Sequence, residues 1–410
     1  MNHYQAVEAL ARLRHQFGEH GGVNRSIETS ATYTVLDPRT MPEIFQGRLG
    51  PDNAGCFLYG RHFNPTVYAL SSELAALEGT ESAYCTASGM GAISAVIMAL
   101  CDAGEHVVCS NTVYGGTWAL LKEFMPRKTG VTTTFVDTCD LAAVRAAITP
   151  ATRLLYVESI ANPTLRVADI PRLAEIAQQA GIPLVVDNTF SPLVISPAQL
   201  GADIVVHSLT KFIGGASDLI GGVVCGSTEF VQSLMDLHVG PLMILGPTMD
   251  PQVASAVSLR LPHLPLRMRA HGERSLALAE RLAGCGIDVA YPGLVTHPDH
   301  ALAQRIMNSD YGHGGVITLD AGSQERAFQL MDLLQNQHQF GFVAVSLGYF
   351  DTLMSCSAAS TSSEMDPQDI VTAGINPGLI RLAVGYTGTL EQRWSQLRAA
   401  LAEVGMLDQE

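Results

Sequence analysis

Six short apolar segments recur between residues 106 and 225, and most are separated by stretches of helical spacing. They are HVVCS (106–110), VTTTFVD (131–137), LLYVES (154–159), PLVVD (183–187), DIVVH (203–207) and GGVVC (221–225). Helical spacing covers 69–78, 89–101, 114–124, 140–148 and 167–180, the last followed by Gly181, which suits a helix C-terminus. A strand that is apolar on both faces must be covered on both faces. The pattern predicts an α/β fold with a mostly parallel central sheet and helices on each side.

Beyond residue 250 the style changes. A long helical stretch over 251–284 precedes VITLDA (316–321), a helix near 324–336, FVAVS (342–346), LIRLAV (379–384) and a final helix over 389–404. These elements predict a smaller C-terminal α/β domain. A chain of 410 residues exceeds one typical core, so two domains with a boundary near 250 are expected. Residues 1–60 are irregular and rich in Gly, Asn, Thr and Pro. Within them 40–60, with Gly47, Gly50, Pro51 and Gly55, has the composition of a loop able to close over a site.

The net charge of −15 argues against nucleic acid or an anionic membrane as partner, since both need a positive patch. There is no run of 18 apolar residues to span a membrane, and Met1 to Arg14 lacks the apolar stretch of a signal peptide. The eight cysteines show no CxxC pair, and several sit in apolar runs, as Cys109 and Cys225 do. Free thiols in a reducing compartment, the cytoplasm, account for this better than disulfides. A metal-dependent hydrolase is the rival class, with His297, Asp299 and His300 in THPDH as its best ligands. Pro298 makes that stretch a turn, and no metal site is expected.

The chain has three lysines. Lys122 and Lys128 flank a helix end in LLKEFMPRK. Lys211 follows a buried strand in IVVHSLTKFIGG, where desolvation lowers an amine's pKa. A neutral amine at a strand end is what imine chemistry with an aldehyde cofactor requires. Ser208 and Thr210 offer hydroxyls to a phosphate. Asp187 ends another buried strand, where an acid keeps a pyridine nitrogen protonated. TASGMGA (86–92) is a strand-to-helix junction whose Gly89 and Gly91 permit close backbone approach and whose free N–H groups favour a phosphate. Tyr114 begins the next helix and offers a ring for stacking. Singly, each feature has a bland counterpart: a lysine reaching solvent, a helix-capping aspartate, a core tyrosine. Together, on successive strand ends of one sheet, they specify pyridoxal 5'-phosphate (PLP), bound as an imine on Lys211.

The segments YGRHFNPT (59–66), ASGMGAI (87–93), NTVYGG (111–116), ESIANPT (158–164), VVDNTF (185–190), VVHSLTKFIGG (205–215), AVSLG (344–348) and GLIRLAVG (378–385) resemble the cysteine/methionine-metabolism family of PLP enzymes, the trans-sulfuration enzymes. The resemblance runs from about residue 25 to the C-terminus. It implies the PLP-dependent transferase fold (type I, aspartate aminotransferase-like), with an N-terminal arm over 1–62, a PLP-binding domain over 63–250 and a C-terminal domain over 251–410. It implies that Gly89, Met90, Ser208 and Thr210 bind the cofactor phosphate, and that Tyr59 and Arg61 reach the phosphate of a neighbouring subunit in a homotetramer built from catalytic dimers. Tyr114 would stack on the ring and act as acid or base, and Asp187 would pair with the ring nitrogen. Arg381, with Ser346 and Asn162, would clamp the carboxylate of a small amino-acid substrate through a bidentate fork. Lys211 would be displaced by the substrate amine and then serve as the base.

Val345 bears on the reaction. Family members that process cystathionine often carry a glutamate just before SLG, facing the distal ammonium. An apolar Val345 suits a small thioether, as in members that eliminate a thiol from methionine to leave a 2-oxo acid and ammonia. Three stretches depart from that subgroup: Gly116 where a cysteine is usual, 236–250 without a lysine–aspartate pair, and SAASTSSEM (357–365). Elimination from cystathionine and replacement at the γ-carbon therefore stay open.

Overall fold

The computed structural model describes residues 3–14, 17–18, 20–51, 55–360, 370 and 374–408. Seven strands form the large sheet: β1 (Ser82–Thr86), β2 (His106–Ser110), β3 (Thr132–Val136), β4 (Thr152–Glu158), β5 (Leu184–Asp187), β6 (Ile204–Ser208) and β7 (Gly222–Gly226). Their order is β1-β7-β6-β5-β4-β2-β3. Only β7 runs against its neighbours β1 and β6. The sheet is thus mostly parallel, and the PLP-dependent transferase architecture read from the sequence is the one observed.

Both faces are covered, because alternate residues of one strand enter different cores. Leu155, Val157, Val186 and Val205 belong to one buried cluster; Leu154, Tyr156, Val185 and Val206 belong to another. Helix Pro65–Glu78 starts where the Asn64 side chain accepts from the N–H groups of Thr66 and Val67, and it stops at Gly79 with φ of 73°.

The second sheet has five strands: β8 (Val289–Ala290), β9 (Val316–Asp320), β10 (Gly341–Val343), β11 (Thr352–Cys356) and β12 (Leu379–Ala383). Their order is β10-β11-β12-β9-β8, all antiparallel except β10 with β11. Its core, with Leu278, Ile317, Met354 and Leu382, is separate from the two above. Leu264 and Met268, however, pack into a core of the large sheet, so helix Leu264–Gly284 bridges the two units.

Several expected boundaries shift for identifiable reasons. The stretch 251–284 is two helices, Pro251–Arg260 and Leu264–Gly284, joined by a 3₁₀ turn at Leu261–His263. Pro262 and Pro265 lack the N–H a continuous helix needs. The helix expected from 167 starts at Ile170, because the N–H of Val167 is taken by Asp299 and that of Ala168 by the Ser159 carbonyl. The strand expected over 342–346 ends at Val343. Strands β1 and β11 were not anticipated; their Ser, Thr and Cys content hides a buried run. Of the departure at 357–365, positions 361–365 lie outside the described residues, as do 52–54 of the 40–60 loop.

Candidate active site

A cavity of about 270 Å³ opens beyond the carboxyl ends of β4, β5 and β6. Its walls carry Gly89, Met90, Tyr114, Asn162, Asp187, Ser208, Thr210, Lys211, Val345, Ser346 and Arg381. Of the residues expected at the site, Tyr59 and Arg61 are missing from this wall. Arg61 lies over the Tyr59 ring, 5.6 Å from its centroid, and donates to the Met243 carbonyl. Tyr59 is 44% exposed. Within one chain neither residue lines the cavity.

Lys211 leaves β6 through a turn in which its N–H donates to the Ser208 carbonyl. Its Nζ donates to Ser346 Oγ at 2.9 Å. Burial, and then the nearby Arg381 cation, bring its pKa down to about 8. Asp187 closes β5. Its carboxylate accepts from the Thr189 N–H at 3.0 Å and the Tyr156 hydroxyl at 3.3 Å. Burial pushes its pKa up, while the Thr189 donors, His207 and Tyr156 favour the anion. Thr189 also accepts the N–H of Ser208 at 2.9 Å, locking the ends of β5 and β6 together.

Opposite these, helix Gly89–Leu100 points its start at the end of β6. Its cap is Ser88, whose Oγ accepts from the Gly91 N–H at 3.0 Å. A Cβ at Gly89 would lie 2.8 Å from the Cβ of Ser208, so the two segments meet only because residue 89 is glycine. This puts helix N–H groups beside the side chains of Ser208 and Thr210. Tyr114 caps the short helix Gly115–Ala119 and stands 43% exposed at the cavity.

The remaining wall comes from the second sheet. Arg381 lies within β12 and is 2% exposed. Its Nη1 donates to Asn162 Oδ1 at 3.1 Å and its Nη2 to the Ser346 carbonyl at 2.9 Å, while Nε is buried with no partner. Burial lowers its pKa to about 10. A buried guanidinium with an orphan donor beside a cavity is set to receive an anion. Val345 is 65% exposed at the rim. Ile93, Ile160, Phe190, Ile220 and Leu347 add an apolar part to the lining.

Sequence reasoning missed Glu158, Ser88 and Thr189, all of which line the cavity. Glu158 ends β4 as Asp187 ends β5, and the two are register partners. An acid closing an otherwise apolar run, LLYVE beside PLVVD, was the available signal. The THPDH residues have structural roles. Asp299 accepts from Arg166 Nε at 2.6 Å and Nη2 at 3.0 Å, and the N–H of Asp299 donates to His297 Nδ1.

An amine and two hydroxyls at one strand end, an acid on the next, and the helix N–H groups that face those hydroxyls fit an aldehyde, a phosphate and a ring nitrogen. The set suits PLP. The chain belongs to the Cys/Met metabolism PLP-dependent enzymes, whose family model matches residues 6–400. Among its relatives, methionine gamma-lyase of Arabidopsis thaliana is 58% identical, over 96% of this chain and 89% of that protein. O-succinylhomoserine sulfhydrylase of Pseudomonas aeruginosa is 39% identical, over 90% and 87%. Among solved structures, cystathionine gamma-lyase from Lactobacillus plantarum complexed with L-serine superposes with a TM-score of 0.86 at 30% identity, covering 98% of this chain and 100% of that one.

Proposed function

We propose that the chain is a carbon–sulfur lyase that eliminates methanethiol from the γ-carbon of L-methionine, leaving a 2-oxo acid and ammonia. The observation that carries this reading is the 58% identity to a methionine gamma-lyase over nearly the whole chain. The cavity supports it. Val345, Ile160, Phe190 and Leu347 give it apolar lining for a thioether, with no countercharge at position 345 for a distal ammonium.

When bound, PLP supplies an aldehyde for the substrate amine and a ring that draws electrons from the bonds at Cα. The chain's own residues do the rest. Lys211 would hold the cofactor, and its free Nζ would take the Cα proton of the substrate. Its pKa of about 8 leaves a useful neutral fraction near neutrality. Ser346 Oγ holds Nζ in place. Asp187 would meet the ring nitrogen and keep it protonated. Gly89, Met90, Ser208 and Thr210 would hold the phosphate. Tyr114 would stack on the ring and relay a proton through its hydroxyl. Arg381, steadied by Asn162 and the Ser346 carbonyl, grips the substrate carboxylate. Tyr59 and Arg61, which do not line their own chain's cavity, would serve the phosphate of a partner subunit in a homotetramer of catalytic dimers. We place the domains at 1–62 (arm), 63–250 (PLP-binding) and 251–410, and the enzyme in the cytoplasm, where its eight free cysteines stay reduced.

The test is a substrate panel: 2-oxobutanoate from methionine, homocysteine and cystathionine, and replacement on O-acetylhomoserine with sulfide. Methionine should exceed cystathionine in kcat/KM by about tenfold or more, because position 345 offers no carboxylate to pair with the distal ammonium. A large preference for cystathionine would refute the reading of Val345. The 39% identity to a sulfhydrylase makes replacement the second reading, and faster replacement than elimination would establish it.

A further inference from the structure

Glu158 is a buried carboxylate to which the mechanism above gives no task. One oxygen accepts the backbone N–H of Tyr114 at 2.6 Å, and the other accepts the backbone N–H of Asn162 at 2.9 Å. Tyr114 presents the ring at the cavity. The Asn162 side chain holds Arg381. A single side chain thus ties the backbone under the ring to the backbone under the clamp.

Packing does not explain its position. Glu158 lines the main cavity and also a second one of about 140 Å³, walled by Ser110, Asn111, Thr112 and Arg166 among others. With space on two sides, the two N–H bonds fix the carboxylate. Charge-assisted bonds of this kind are the strong ones. Burial, and then the carboxylate of its register partner Asp187, push the Glu158 pKa up to about 8, while the Tyr114 and Asn162 N–H groups and the Arg381 cation favour its ionised form.

We propose that Glu158 is a positioning residue that couples the substrate-carboxylate clamp to the stacking tyrosine, through the main-chain N–H groups of Asn162 and Tyr114. This rests on Arg381 and Asn162 being the clamp. The ligand class concerned is any α-amino acid, since the carboxylate is common to all of them.

The experiment measures calorimetric binding of norleucine, which lacks sulfur, to the PLP-loaded protein. It compares wild type, Glu158→Gln, Asn162→Ala and the double variant, with the cofactor's visible absorbance and the melting temperature followed in each. An amide cannot accept both N–H groups as a carboxylate does. Glu158→Gln should weaken norleucine about tenfold and perturb the cofactor band while melting within about 2 °C of wild type. Asn162→Ala should then add less than about twofold in the Gln background, because residues acting as one unit are not additive. Unchanged norleucine affinity, or effects of the two substitutions that multiply, would overturn the proposal. Should the Gln variant not fold, Glu158→Asp decides by the same cycle, since a carboxylate one methylene shorter cannot span both donors. Arg381→Ala is the control: if it leaves norleucine binding intact, the clamp assignment fails and not the coupling.

Discussion

The two sheets build their halves of the cavity by different means. The large sheet delivers Asp187, Ser208 and Lys211 at or just beyond the carboxyl ends of adjacent strands, where Thr189 braces both β5 and β6 through short-range contacts. The small sheet delivers Arg381 from within antiparallel β12, paired with Ser355 on one side and Thr318 on the other. Arg381 finds its partners at Asn162 and Ser346, far away in the chain. The cofactor end is therefore assembled inside one sheet. The substrate end exists only when the two sheets meet, and the Lys211–Ser346 bond crosses the same seam.

If that contrast is right, the two ends should fail separately. Lys211→Ala should cost turnover a thousandfold or more, on the order seen when a covalent catalyst is removed, and the cofactor should be lost on dialysis. Assay of 2-oxobutanoate release and of the visible spectrum would show both. Arg381→Lys should leave the cofactor bound but raise KM for methionine by about tenfold to a hundredfold, since an ammonium cannot make the paired donation of a guanidinium. Loss of cofactor in that variant would show that the ends are not separable.

Gly116 probes the cofactor end more gently. A Cβ there would lie 2.5 Å from Cε1 of Tyr114 and 3.2 Å from Sδ of Met90. Gly116→Ala should displace the ring and lower kcat/KM by roughly threefold to tenfold, with little change in melting temperature because Tyr114 is an exposed residue at the cavity. The smallest effect concerns pH. The neutral amine of Lys211 attacks the cofactor aldehyde, so the rate of PLP attachment to the apoprotein should climb with pH and level off above about 8. Arg381 is the second cause of that lowering, so Arg381→Ala should move the inflection to higher pH. An unmoved inflection would mean that burial alone sets it.

The same contrast decides what could be read in advance. Asp187, Ser208 and Lys211 were legible because each sits at the edge of a contiguous apolar run, and local sequence alone places it at a strand end. Glu158 had the same signature in LLYVE, but helix-like and strand-like neighbours of ESIANPT gave no hint of its two N–H partners. Arg381 and Ser346 carry no local mark, since an arginine inside LIRLAV reads as a surface position until the partner sheet covers it. Only family resemblance picked them out. Strand β11, TLMSC, escaped for a related reason: its burial depends on β12 and β10 lying beside it, and its own residues alternate without a clear apolar face. The long helix over 251–284 was legible as helix, but the breaks imposed by Pro262 and Pro265 were not weighed against it.

Because the chain has only three lysines, the central claim has a clean test. Borohydride reduction of the purified protein fixes the cofactor to whichever amine carries it, and peptide mass mapping then locates it. The pyridoxyl mass should fall on the peptide containing Lys211 alone. A label on Lys122 or Lys128, or no label in a protein that retains its visible absorbance, would contradict the account.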